Sequence, residues 1–303
     1  MGRAAVPAAG PRISVIGDIA LDYYLVLAPR CGGDEKRAVV RSFRLPGGTG
    51  ANAAVAAAVL GSQVTLYSAV GTDHLGDWLI ESVASRGVGT GQVRKLAGAS
   101  TQATILIDGD ARQVIVDPGV AGRMADIEPG QFAAADVVYV TGSGEAVRRV
   151  AQSGTGARVV AGVEAGMAGD EGLIGALRQA DLVITNSAGW ALISGQTAGV
   201  MTVVETRGRE GAVIHAPGRP DERIPGIAVG AVDATGAGDC FAGALCHYLA
   251  SGLDLAAASR LAVAAAGLST RAVGAQTALP TEGEVREAAT RQNAPARSGE
   301  PGE

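Results

Sequence analysis

Lysine is nearly absent from this chain: Lys36 and Lys95 are the only two in 303 residues. Neither can complete the phosphate-gripping pattern G-x-x-x-x-G-K-[ST], so a P-loop nucleotidase is excluded. Aromatic residues make up 3% of the chain, against 47% hydrophobic residues and 45 glycines, so Ala, Val, Leu and Ile must fill the interior. Alternating Val-rich strands and Ala-rich helices do this well. No apolar run approaches the ~18 residues of a membrane span. Met1 to Pro11 lacks the apolar core of a signal peptide, and Val6 stands where myristoylation needs Ser or Thr. Cys31, Cys240 and Cys246 form an odd set without metal-ligand spacing, which excludes a disulfide framework. Reduced thiols and a cytoplasmic location are expected. The net charge of −5, with arginines scattered, leaves no basic face for a nucleic acid.

What is present reads as one α/β domain over 12–291, with 1–11 and the Pro/Gly-rich 292–303 expected to be disordered tails. Arg12 to Gly17 is a short buried strand, and 20–27 and 38–45 are more exposed ones. TQATILID and RQVIVDPG, joined by Gly109-Asp110, form the clearest hairpin. Together, strands within about 20–46 and 101–117 predict a small sheet outside the main layer, a lid that excludes water. From Asp136 onward, DVVYVTG, ARVVAGV and DLVITN alternate with helical stretches near 143–153 and 170–179. Parallel strands need such crossovers, so the expected fold is an open, mostly parallel sheet with helices on both faces. Its ligands belong beyond the strand C-termini, where Asn186 lies. MTVVETRGREGAVIHAPG adds two strands across a glycine turn.

Ala231 to Leu249, AVDATGAGDCFAGALCHYL, carries the chemistry. Gly236, Ala237 and Gly238 form a turn into a helix, and converging N–H groups at a helix N-terminus make an anion hole. Asp239 falls in the first helical turn. It could merely complement the helix dipole. A carboxylate beside a bound phosphate has a stronger use, which is to take the proton from a group attacking that phosphate.

The longer string DATGAGDCFAGAL resembles the D-T-T-G-A-G-D-x-F-x-G-x-L signature of the ribokinase-like (PfkB-type) carbohydrate kinase family. Asp233, Thr235, Gly236, Ala237, Gly238, Asp239, Phe241, Gly243 and Leu245 match. The resemblance implies ATP-dependent phosphorylation of a hydroxymethyl group on a sugar or sugar-like substrate, with Asp239 as general base and Mg2+ on the phosphates. It further implies that Asp22, Gly47, Gly48 and Asn52 bind the acceptor. Asn186, Thr206, Gly208, Gly238, Gly274 and Ala275 would lie at the nucleotide, and Asp233 and Thr235 at a monovalent cation such as K+. A homodimer formed through the lid is expected with it. The turn at Gly71 to Gly76 resembles the family's G-x-D-x-x-G, with Asp73 as a helix cap.

Two departures matter. Ribokinases proper carry Lys at the position of Thr49 and Asn at that of Ala20, which argues against ribose itself. The family's N-x-x-E reads Asn186-Ser187-Ala188-Gly189 here, so Mg2+ must be held otherwise, with Glu164 and Glu205 as candidate helpers. Three rival readings stand beside the sugar kinase. A nucleoside kinase could stack a base on Tyr23 or Tyr24. A sugar or nucleotide sensor would bind without turnover. A dinucleotide fingerprint matches formally at Gly48, Gly50 and Ala53, but it follows a charged strand where a buried one is required.

Overall fold

The computed structural model describes residues 10–29, 36–109, 111–121, 131–132 and 134–293. Cys31, most of the charged 32–37 segment, Asp110 and nearly all of both expected tails lie outside them. Seven parallel strands form most of the main sheet. They run β5 (Val88–Leu96), β4 (Gln63–Gly71), β1 (Arg12–Ile16), β8 (Val137–Val140), β9 (Arg158–Val163), β10 (Leu182–Asn186), β11 (Val203–Thr206). Two antiparallel strands, β12 (Gly211–His215) and β13 (Glu222–Pro225), finish the far edge.

Helices cover both faces because the strands are apolar on both. In β8, Val137 and Tyr139 point into one core while Val138 and Val140 point into the other, as the two-residue strand period requires. The first core receives α1 (Thr49–Val59), α2 (His74–Ala84), α6 (Ala237–Ala250), α7 (Leu255–Ser269) and α8 (Glu282–Asn293). The second receives α3 (Gly144–Gln152), α4 (Leu173–Leu177) and α5 (Ser187–Thr197). With so few aromatics, the first core closes by bringing backbones together. A Cβ on Gly243 of α6 would lie 2.2 Å from the Ala53 carbonyl oxygen of α1, so these two helices touch at a glycine.

The expected lid is present as a second sheet, ordered β3 (Val39–Gly47), β2 (Ala20–Leu27), β6 (Thr101–Asp108), β7 (Ala111–Asp117). The 101–117 hairpin pairs antiparallel as read, and Gly109 takes the positive φ of 59° that its tight turn needs. Asp73 caps α2 by accepting from the Gly76 N–H at 3.1 Å, and it also accepts from the Ser100 N–H and hydroxyl, both at 2.7 Å. The last helix runs further than the sequence suggests. Gln292 still belongs to α8 and donates to the carbonyls of Pro225 (2.7 Å) and Gly226 (3.0 Å).

Candidate active site

The body and the lid meet where β1 ends and α1 begins. Gly17 and Gly50 are in backbone contact there: a Cβ on Gly50 would fall 2.5 Å from Gly17 Cα, so neither tolerates a side chain. Gly47 plays the same part against the lid. A Cβ on it would stand 2.3 Å from Asp22 Oδ1, so the Asp22 carboxylate of β2 rests directly on a bare glycine backbone. Asp22 is 7% exposed. Among the described residues no protein donor satisfies its carboxylate, which leaves a buried acceptor ready for ligand hydroxyls. Burial and the neighbouring Asp18 carboxylate raise its pKa to about 6, with Arg112 of β7 opposing.

Asp239 lies half-buried on the first turn of α6. The turn before it is specified by Gly236, whose φ is 73° and whose missing Cβ would overlap Ala275 Cβ at 2.3 Å. The first helical hydrogen bond runs from the Cys240 N–H to the Gly236 carbonyl at 2.8 Å. The Ala237 N–H is committed to the Ala234 carbonyl at 3.2 Å, so an anion at this helix N-terminus would meet the N–H groups of Gly238 and Asp239 rather than the whole 236–239 turn. Burial pushes the Asp239 carboxyl up to about 8. A hydrogen bond from Asn52 Nδ2 (2.8 Å) works against this, while the carboxylates of Glu164, Asp18 and Asp22 add to it. Cys240 beside it is a buried packing residue whose thiol burial drives up to about 12, so it supplies no nucleophile.

Asp18 and Glu164 join this group although no motif marks them. Glu164 directly follows the last residue of β9 and Asp18 stands two residues past the end of β1, and that position at a sheet's C-terminal edge was the available signal. Asp18 accepts from the Gly50 N–H at 3.2 Å, and Glu164 from the Thr49 hydroxyl at 2.9 Å.

Beyond Asp239 a cavity of about 600 Å3 opens between α6, α7 and the ends of β11 and β12. Its lining includes Thr206, Gly208, Ala237, Gly238 and Phe241. Of the residues expected at the phosphates and nucleotide, Thr206, Gly208, Ala237 and Gly238 line it, whereas Asn186, Gly274 and Ala275 are not in its lining. Asn186 is the N-cap of α5, its Oδ1 accepting from the Gly189 N–H at 2.9 Å. Ala275 is buried against Gly236. Gly274, whose φ of 96° suits glycine alone, donates its N–H to Asp233 Oδ2 at 2.9 Å. The other Asp233 oxygen accepts from the Thr235 N–H (3.0 Å) and hydroxyl (2.5 Å), and Arg112 stands 3.9 Å away. Asp233 and Thr235 thus lock two turns together.

Position 189 has no room for the family's glutamate: a Cβ would lie 2.1 Å from Thr185 Oγ1. Glu205 cannot take its place, because it is 2% exposed and accepts from Ser187 Oγ (2.9 Å), Arg207 Nη2 (2.6 Å) and His215 Nε2 (3.1 Å). His215, for which the sequence offered no partner, also meets Asp221 at 2.9 Å and stacks on Trp190 at 4.1 Å. The tyrosines offered for base stacking are likewise engaged. Tyr24 is 1% exposed and stacked on Phe43, and Tyr23 lies under the Arg44 guanidinium. The dinucleotide reading is not supported, since the strand before Gly48 is the lid strand β3 and not a core strand.

A lidded open α/β sheet with a carboxylate at a helix N-terminus, between a buried lid carboxylate and a cavity of nucleotide size, is the architecture of a small-molecule kinase. Residues 11–282 match the pfkB family of carbohydrate kinases, and the chain belongs to that family, as a phosphotransferase with an alcohol group as acceptor. A ribokinase of Bacillus subtilis is 30% identical over 298 residues, covering 91% of this chain and 98% of the relative. The Burkholderia thailandensis nucleoside kinase solved with inosine shares the fold at a TM-score of 0.82, with 24% identity over 92% of this chain and 98% of its own. Arabidopsis thaliana ribokinase, solved with ribose and ATP, does so at 0.75, with 20% identity over 93% and 99%. Among the described residues no helix is long and apolar enough to cross a membrane.

Proposed function

We propose that the chain transfers the γ-phosphoryl group of ATP to a hydroxymethyl group of a sugar or sugar-like acceptor held between Asp22 and Asp239. The observation that carries this is the placement of Asp239. Its Oδ2 is taken by Asn52, and its other oxygen is left to the acceptor, on the first turn of α6. The acceptor hydroxyl gives its proton to that oxygen as its O–P bond forms. The bond from the γ-phosphorus to the bridging oxygen breaks, and ADP leaves. The N–H groups of Gly238 and Asp239 meet the charge on the equatorial oxygens. Asp22 and the backbone of Gly47 and Gly48 orient the sugar, and the donor occupies the cavity lined by Thr206, Gly208 and Gly238.

Among the described residues no three His, Cys, Asp or Glu side chains form a ready-made metal cage. The hard-oxygen donors near the transfer point are Asp18 and Glu164. They fit a Mg2+ ion that keeps most of its waters and is held chiefly by phosphates. When bound, that ion neutralises charge on the β- and γ-phosphates. At Asp233 the carboxylate already has three protein donors and a facing guanidinium, a donor set that does not fit a required K+ ion; no step is assigned to one.

Every residue of β7 is exposed, including Val114, Ile115 and Val116, and β7 is a free sheet edge. Such an edge invites pairing, which supports a homodimer through the lid. The reduced, buried thiols of Cys240 and Cys246 support a cytoplasmic location. ADP release measured across sugars, sugar derivatives and nucleosides tests the reading. Turnover with a sugar is expected, turnover only with nucleosides would reassign the acceptor, and binding without turnover would make the protein a sensor.

A further inference from the structure

Asn52 was expected to bind the acceptor, yet the protein itself uses both ends of its side chain. Nδ2 donates to Asp239 Oδ2 at 2.8 Å, and Oδ1 accepts from Gln276 Nε2 at 2.9 Å. Asn52 and Gln276 are 5% and 4% exposed, so these bonds form out of water. We infer that Gln276 is a positioning residue for phosphoryl transfer, which fixes the Asn52 amide so that its N–H points at the general base; this rests on the kinase reading above.

The polarity of the chain follows from elementary hydrogen-bond chemistry. An ionised Asp239 only accepts, so it must be met by the NH2 end of Asn52. The Asn52 oxygen then faces Gln276 and requires a donor, which only the Gln276 amide nitrogen provides. The remaining Gln276 oxygen is buried without a partner. Leaving it so is unfavourable, and turning the Gln276 amide to satisfy it would set two oxygens against each other at Asn52. The orientation is therefore held by what the base needs.

The backbone reinforces the chain at both ends. Gly243, one turn after Asp239, lets α6 touch α1 at Ala53, the residue after Asn52, and Ala275 seats the 274–276 turn on Gly236. Gln276 is thus attached to the same turn that aims Asp239, without a contact to either substrate.

The test compares wild type with Gln276→Leu, Asn52→Leu and the double variant, using whichever sugar the wild type turns over. Without the Gln276 donor the Asn52 amide is free to rotate, and the base loses its aim. The expected result is a kcat loss of about 10- to 100-fold, with KM for ATP and acceptor within about twofold of wild type. The double variant should be no worse than Asn52→Leu alone, since both act through one contact. Unchanged kcat in Gln276→Leu, a loss that falls on acceptor KM, or additive losses would each overturn the inference while leaving the kinase reading intact. A wild type that turns over nothing would remove both. If Gln276→Leu does not fold, Gln276→Glu keeps the volume and replaces the donor by an acceptor; it should lose kcat in the same way, and full kcat in that variant would equally overturn the inference.

Discussion

The acceptor end of the cleft is built from charged side chains laid on bare backbone, with Asp22 on Gly47, Asp18 on the Gly50 N–H, and Asp239 above Gly236. The proposed donor end is a cavity lined mainly by glycine, alanine and apolar side chains such as Ile227, Phe241 and Val263, with no carboxylate among them. The acceptor end binds with groups that must be in one place and one ionisation state. At the donor end, shape and N–H groups suffice. A change at the first should therefore damage chemistry or recognition, and a change at the second should act through packing.

Asp239→Asn breaks that contrast hardest. It keeps the Asn52 hydrogen bond and removes the base, so kcat should fall about 10²–10⁴-fold with ATP binding retained; steady-state rates and a nucleotide titration check both halves. The same variant should melt about 2 °C or more above wild type. The folded-state pKa of this carboxyl is raised, so the native state holds its proton more tightly than the unfolded chain, and stability is lost as pH rises toward about 8. Asparagine escapes that penalty.

Gly47→Ala places a methyl group where the Asp22 carboxylate sits, and should raise acceptor KM by about tenfold or more while leaving KM for ATP alone. The pH profile sharpens the same point. Below about 8, kcat/KM should fall tenfold per unit as Asp239 takes up a proton, and more steeply below about 6, where Asp22 does too. A flat profile between pH 6 and 8 would contradict the Asp239 assignment, and a slope that does not steepen below about 6 would contradict that of Asp22. At the donor end, Gly189→Glu restores the family's residue yet should destabilise by about 1–3 kcal/mol, because its Cβ meets Thr185; denaturant unfolding measures this. The smallest effect is expected at Asp233: exchanging potassium for a larger organic cation should change kcat less than about twofold, since Arg112 and three hydrogen bonds already balance that carboxylate.

The acceptor end was the more legible in sequence for the same reason. Asp22, Gly47-Gly48 and Asp239 are irreplaceable by type, and irreplaceable types leave patterns. Asp18 went unmarked, and Glu164 was reached only as a candidate helper for Mg2+, because a single acidic residue after a strand carries no spacing of its own. Gln276 carries no signal of its own in the sequence, since its value lies in a partner 224 positions away. Parallel strands and lid strands were readable from their β-branched runs. β5 was not, because VGTGQVRKL is largely exposed and glycine-interrupted. α5 was hidden by its Ser, Gly and Thr, residues that favour other conformations and are overruled here by the Asn186 cap and by Ile193 buried in the second core.

Asp22 sits on β2, a strand of the lid sheet, whereas Asp239 and Asn52 sit on helices of the body. Any movement of the lid therefore carries one half of the acceptor site toward or away from the other. A molecule must be long enough to bridge both halves at once to draw them together, and a lone water molecule is too short. On the proposed site assignment, protection of ATP from wasteful hydrolysis would follow from which sheet holds which carboxylate.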